Sequence, residues 1–526
     1  MTETVTLGAG ATPARRQSNV ARRLPTVSVA VAEMAGDKMR EADHGMSVFC
    51  PCAFEPAIAC EDGGSNRVGI LAEEKGRVAE MPGRKAFALV FLAGLVLAVL
   101  AVTACGGTEE EAGGGGQTAI PSGPGVGETV GVTDASITIG TLLPISNTVA
   151  AAWGVPLSQG MKAYYDYIND NGGIYGRKID FIIGDSQYAG PVASETIRKM
   201  VEQDGIFLLQ GSLGTEAHMA VYKYLEEKGI PDMYILTGNT IWTDPIAHSR
   251  FAWLVDYIDE GRLLGQYIAK NFDGKKLGIL AQNDDFGKEG EEGLKLGLED
   301  AGANMEITTQ YYDATQTDVT AQIQRLKADN VDVIGYYGMP AQAASGLKAA
   351  RETLNWDVPI VISGVDAVEA VARLAGYDNI EGAVSVLYGH QAFESDWPGV
   401  KEYTEILAKY APGTPMDNLT ETGMSLSESI VSVLKQAGRD LTRSGFLGAA
   451  ESGCNVVSRT GLVPSSMSPT DHRPIEVEQF VRATVDRTDP NNPKFTWQPF
   501  GRIITFESTK DCVTPTPPPD FDKQAQ

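Results

Sequence analysis

Cysteine is scarce in this chain: six in 526 residues, of which only Cys454 and Cys512 follow Cys105. That excludes a disulfide-dense small scaffold, and the two late cysteines are expected to form one disulfide, Cys454–Cys512, with two separate buried thiols as the alternative. Histidine is scarcer, with five in all. His218, His248, His390 and His472 are scattered, and no HxxxH or CxxC spacing occurs, so no metal site is expected. The chain also lacks a GxxxxGKS/T phosphate loop, a GxGxxG after its first strand, HExxH and GxSxG. No catalytic residue and no cofactor are therefore assigned. Positive charge is the last shortage. The chain carries 43 Lys and Arg against 68 Asp and Glu, and residues 1–104 hold 11 of each, so the whole net charge of −25 falls on the remainder. Such a surface repels phosphate, which argues against a nucleic-acid partner.

One long apolar run is present. Arg84 and Lys85 precede an uncharged stretch from Ala86 to Val102, which closes on Val102-Thr103-Ala104-Cys105. This resembles a bacterial lipoprotein signal, residues 81–105, with Cys105 as the acylated first residue of the mature chain. An ordinary transmembrane anchor is the alternative, since the run approaches spanning length. Residues 1–80 show no sustained periodicity; they are expected to be an upstream extension, either wrongly included before Met81 or unstructured. Residues 106–133 are Gly/Glu/Pro/Ser-rich and read as a linker, and 509–526 as a Pro-rich tail.

Between linker and tail the pattern alternates. Ser136–Leu143, Lys178–Ile183, Ile206–Gln210 and Asp232–Leu236 read as strands, separated by helical stretches from Pro156, at Val192–Gln203 and at Thr215–Lys228. A second cycle follows: helix near Gly261–Asn271, strand Leu277–Ala281, helix Glu289–Ala301, strand Met305–Tyr311, helix Val319–Asp329, strand Val331–Tyr336, helix Ala341–Thr353, strand Ile360–Ile362. Strands alternating with helices imply parallel sheets covered on both faces, and two series imply two doubly wound, Rossmann-like α/β lobes. Ligands of such sheets bind beyond the carboxyl ends of the strands. The turn Gly211–Thr215 there has the makings of a site for one anionic group, or simply of a helix cap.

The residues resemble a known family, the type 1 periplasmic binding proteins, in the leucine/isoleucine/valine- and amide-binding branch that serves ABC importers. Ile139-Gly140 with Pro144, Trp153-Gly154, Gly160, Ile168-Asn169, Gly172–Arg177, Gly229-Ile230-Pro231, Thr237-Gly238, Asp285-Phe286-Gly287 and Asp471-His472-Arg473 carry the resemblance, which covers about 134–508. It implies two lobes joined by a multi-strand hinge, one from 134–254 plus 384–466, the other from 255–383 plus 467–508. It implies a lipid-anchored, extracytoplasmic receptor that hands a small solute, an amino acid or amide-like compound, to a permease. A ligand-sensing lobe pair acting on a signalling partner is the alternative, and an enzyme on the same scaffold a remoter one. The site residues it implies are Trp153 against the ligand side chain, Thr215 on its carboxylate, Gly238 and Thr240 on both charged ends, and Phe286, Tyr337 and Met339 from the second lobe. Asp366 is implied as the ammonium partner.

Overall fold

The computed structural model describes residues 127–146, 150–456, 458–462, 465–489 and 491–506. The apolar run, Cys105, the tail and Cys512 lie outside the described residues. Cys454 falls on a described strand but its side chain does not, so the Cys454–Cys512 pairing lies outside them too. Among the described residues no helix is long and apolar enough to cross a membrane.

Ile137, Ile139 and the run Gly140–Leu143 are buried. A strand shielded on both faces belongs inside a parallel sheet. This is β1 (Ser136–Leu143), followed by α1 (Ala151–Asp170), β2 (Lys178–Asp185), α2 (Gly190–Glu202), β3 (Leu208–Gln210), α3 (Thr215–Met219), α4 (Tyr222–Glu227), β4 (Asp232–Ile235) and β5 (Arg250–Ala252). The sheet order is β2-β1-β3-β4-β5, parallel throughout. The single helix expected over Thr215–Lys228 is two, broken at Ala220-Val221.

The second series runs α5 (Tyr257–Phe272), β6 (Lys276–Gln282), α6 (Asp285–Asp300), β7 (Glu306–Tyr312), α7 (Thr320–Ala328), β8 (Val333–Tyr337), α8 (Pro340–Lys348), β9 (Ile360–Ile362), α9 (Glu369–Ala375), α10 (Tyr377–Ile380) and β10 (Val384–Leu387). The chain then returns to the first lobe as α11 (Pro398–Tyr410), α12 (Asn418–Ala437) and α13 (Arg443–Ala450), with α11 and α12 packed on α1. A small ribbon, β11 (Gly453–Val456) with β12 (Ser465–Met467), precedes β13 (Val477–Asp486), β14 (Lys494–Pro499) and β15 (Ile504–Thr505). The second sheet is ordered β14-β13-β10-β9-β8-β6-β7, with β15 beside β13. Here one boundary is corrected. Val384–Leu387, placed in the first lobe from sequence, pairs parallel with β9 and antiparallel with β13, so it is a strand of the second lobe.

Helix starts follow their caps. The Asp256 carboxylate accepts from Asp259 N–H at 2.8 Å and starts α5, and Asp284 accepts from Gly287 N–H at 3.2 Å and starts α6. Both helices thus begin before the starts expected from sequence, at Gly261 and Glu289. They cross at glycine contacts: a Cβ on Gly265 would lie 2.3 Å from Leu294 O, and one on Gly297 2.1 Å from Arg262 O. That approach fixes the ends of α5 and α6, and hence Glu260, Phe286 and Glu289, relative to one another.

Candidate ligand-binding cleft

The loops after the strand ends of both lobes face a common cleft of about 960 Å³, part of it open to solvent. Trp153 and Leu157 of α1, Tyr188 and the turn Leu213–Thr215 form the first-lobe wall. Phe286 at the start of α6, Met339 before α8 and Val365 after β9 form the second. Crossing segments close the floor with Leu254, Tyr257, Glu260, Tyr388 and Glu478. The lining is dominated by aliphatic and aromatic side chains, as expected of a site that buries most of a small ligand. Tyr257 packs on Phe286 with ring centroids 4.4 Å apart, joining floor and wall.

Four of the eight residues assigned from sequence lie on this wall: Trp153, Thr215, Phe286 and Met339. Thr215 is 2 % exposed, and its hydroxyl is already 2.5 Å from that of Thr237, which also accepts from the Tyr257 hydroxyl at 3.2 Å. The other four are corrected. Gly238 packs behind the wall, its carbonyl accepting from Tyr257 N–H at 2.7 Å, where a Cβ would meet Val255 O at 2.6 Å. Thr240 turns the other way and bridges the lobes. Its hydroxyl donates to Glu289 of α6 at 2.7 Å, and its N–H points at the same carboxylate at 3.2 and 3.3 Å. Tyr337 is fully buried beneath the floor, beside Glu260. Asp366 ends a short turn capped by Ser363, which accepts from Val365 N–H at 3.2 Å, and its side chain is fully buried off the cleft. The Tyr188 hydroxyl and Gln282 Nε2, 3.4 Å apart, make a second bridge between the lobes.

Sequence reasoning missed the acids. Glu260 on the first turn of α5, Glu478 on β13 and Glu421 on α12 all line the cleft. Glu260 accepts from the Ser363 hydroxyl at 2.9 Å and from Gly364 N–H at 3.1 Å. Burial pushes Glu260 up, and burial with the Glu260 charge pushes Glu478 well up. Burial also pushes Glu421 up to about 8, against a bond from the Thr460 hydroxyl. Glu289 is pushed up to about 7 by burial, opposed by its bonds from Thr240. An acid in the first turn of a helix ordinarily complements the helix dipole, so Glu260 carried no separate signal. Glu478 stood out only as a charge inside the strand pattern Val477-Glu478-Gln479-Phe480-Val481. Among the described residues no group of three or more His, Cys, Asp or Glu is arranged to hold a metal ion.

A family model for periplasmic binding proteins matches residues 136–488. The chain belongs to the periplasmic binding protein family. Leu/Ile/Val-binding protein homolog 1 of Brucella abortus is 24 % identical over 254 residues, 46 % of this chain and 68 % of the relative. Leu/Ile/Val-binding protein BraC3 of Rhizobium johnstonii is 23 % identical over 334 residues, 62 % of this chain and 87 % of the relative. Among solved structures, a fatty acid ABC transporter substrate-binding protein from Thermomonospora curvata superposes with a TM-score of 0.62 at 23 % identity, over 72 % of this chain and 95 % of that one. A branched chain amino acid ABC transporter protein from Thermus thermophilus with bound valine gives 0.61 at 18 % identity, over 70 % and 97 %. The family binds small molecules outside the cytoplasm and works with transporter components.

Proposed function

We propose that this periplasmic binding protein is the solute receptor of an ABC importer. It is tethered outside the cell membrane through a lipidated Cys105, and it closes on a small nitrogen-bearing solute of amino-acid, amide or amine kind. The observation that carries the reading is the cleft itself: apolar walls supplied by both lobes, with Trp153 facing from one and Phe286 and Met339 from the other. A solute bound there is buried by closure, and the closed pair of lobes is the shape a permease recognises. The Leu/Ile/Val-binding relatives support a compact, branched apolar body for that solute. The reading requires no catalytic group.

The test is a thermal-shift screen of amino acids, amides, amines and small carboxylates, followed by calorimetric titration. A ligand at a hundredfold excess over its Kd stabilises by about 2.7 kcal/mol and should raise Tm by several degrees. A chain with no response to any solute class would refute the receptor reading.

A further inference from the structure

Three carboxylates line the cleft, and no Lys or Arg among the described residues lines it with them. Two of the three meet at the floor. Glu478 is 1 % exposed, and its Oε2 has no hydrogen-bond partner. Glu260, 5 % exposed, has only neutral donors in Ser363 and Gly364. Behind them Asp366 is 0 % exposed with neither oxygen partnered. The nearby cation is committed elsewhere: Arg473 bonds Asp256 at 2.7 Å and Asp259 at 3.4 Å. His390 also lines the cleft, but its Nδ1 is 3.0 Å from Glu394 Oε2, so it brings its own acid. Burying carboxylates together without a counter-charge is costly, and the cost falls only when they are protonated or when a cation joins them. Burial raises Glu260, Glu478 and Asp366, and the Glu260 charge raises the other two further, as that cost implies.

The opposite end offers an anion little. The hydroxyls of Thr215 and Thr237 are bonded to each other at 2.5 Å, and Ser212 is bonded to His218 Nδ1 at 2.8 Å. The helix α3 that begins at Thr215 has five residues, too few to concentrate a dipole.

Resting on the receptor reading above, we infer that the cleft is built for an organic cation without a carboxylate: an ammonium seated between Glu478 and Glu260, on an apolar body held by Trp153, Tyr257 and Phe286. An amino acid would bring a carboxylate into a cleft that already holds three and has no cation to receive it.

The test is calorimetric titration of the purified chain near neutral pH with matched sets: isopentylamine, leucine and isocaproate; phenethylamine, phenylalanine and hydrocinnamate; and longer aliphatic amines with their acids. The amine should bind most tightly in each set, and Glu478→Gln should weaken it by about tenfold or more. Ligand-free Glu478→Gln should melt no lower than the parent, because the substitution relieves an unpaired buried acid; a merely structural Glu478 would lower it. Glu260→Gln serves as the second variant and should also weaken the amine. Amino acids or carboxylic acids binding in preference to their amines would overturn the inference and leave the receptor reading intact. Amine affinity unchanged in both variants would also overturn it. No response from any set would overturn the inference, and no response to amides as well would overturn the receptor reading.

Discussion

Thr240 was expected to touch the ligand, and the structure gives it a different task that can be measured. Its hydroxyl reaches from the first lobe to Glu289 of the second at 2.7 Å. A hydrogen bond to a charged acceptor contributes about 1.5–3 kcal/mol when buried. Both residues here are only half-buried and Glu289, pushed up to about 7, is only partly ionised near neutral pH, so the figure falls to about 1 kcal/mol. An opening that separates the lobes would break this bond, so Thr240→Ala should weaken ligand binding about fivefold. The loss should appear as faster release, since the ligand docks before the mouth shuts. Glu289→Ala removes the acceptor for the Thr240 N–H as well and should cost somewhat more. The double variant should be no worse than Glu289→Ala, because one interaction is lost only once. Stopped-flow release and calorimetric titration of the four proteins complete the cycle. If the two single losses multiply in the double variant, Thr240 contacts the ligand independently of Glu289 and the latch is refuted.

Three further outcomes are expected. Glu289 and Glu421, pushed up by burial to about 7 and about 8 from 4.5, contribute stability that is full below the usual carboxylate range and is lost as pH rises through those values. The Tm of the ligand-free chain should therefore fall between about pH 5 and pH 8, and Glu421→Gln should flatten that slope; a Tm rising over the same window would contradict the assignment. Gly265→Ala, which sets a methyl 2.3 Å from Leu294 O, should force α5 and α6 apart and destabilise by about 1–3 kcal/mol in denaturant unfolding, whereas Gly274→Ala, with open space around it, should cost less and act only through its backbone angle. Mass spectrometry of membrane-extracted protein should find an acylated Cys105 as the first residue, and intact peptides from residues 1–80 in that fraction would contradict it.

The two-lobe fold was legible because burial is written into local pattern. Continuous apolar strands such as Ile360–Ile362 alternate with helical stretches, although the starts of α5 and α6, set by the caps Asp256 and Asp284, come four residues before those expected. Lateral order was less legible: Val384–Leu387 reads equally well as a strand of either lobe, and only its pairing with Val361 and with Val477–Asp486 decides. Trp153, Thr215 and Phe286, on helices or their first turns, line the cleft, as does Met339 just before α8. Tyr337 at the end of β8, Gly238, and the turn residues Thr240 and Asp366 do not line it. Thr240 opens a three-residue turn after Asn239, and Asp366 closes another after Ser363. In such turns one residue of slip swings a side chain by about a third of a turn, and nothing local records which way it went. The floor acids were illegible for another reason. Glu260 and Glu478 come from α5 and β13, more than two hundred positions apart, and their meeting is a property of the crossing segments alone.

The most direct test of the central claim, a solute caught between the lobes, is a crystal structure of the chain with the tightest ligand from the binding screen. The account predicts ligand density within about 4 Å of Trp153 on one side and of Phe286 and Met339 on the other, with its polar end at Glu478. Density confined to the outer surface, or to the neighbouring hollow between Trp253 and Thr460, with the cleft empty, would contradict it.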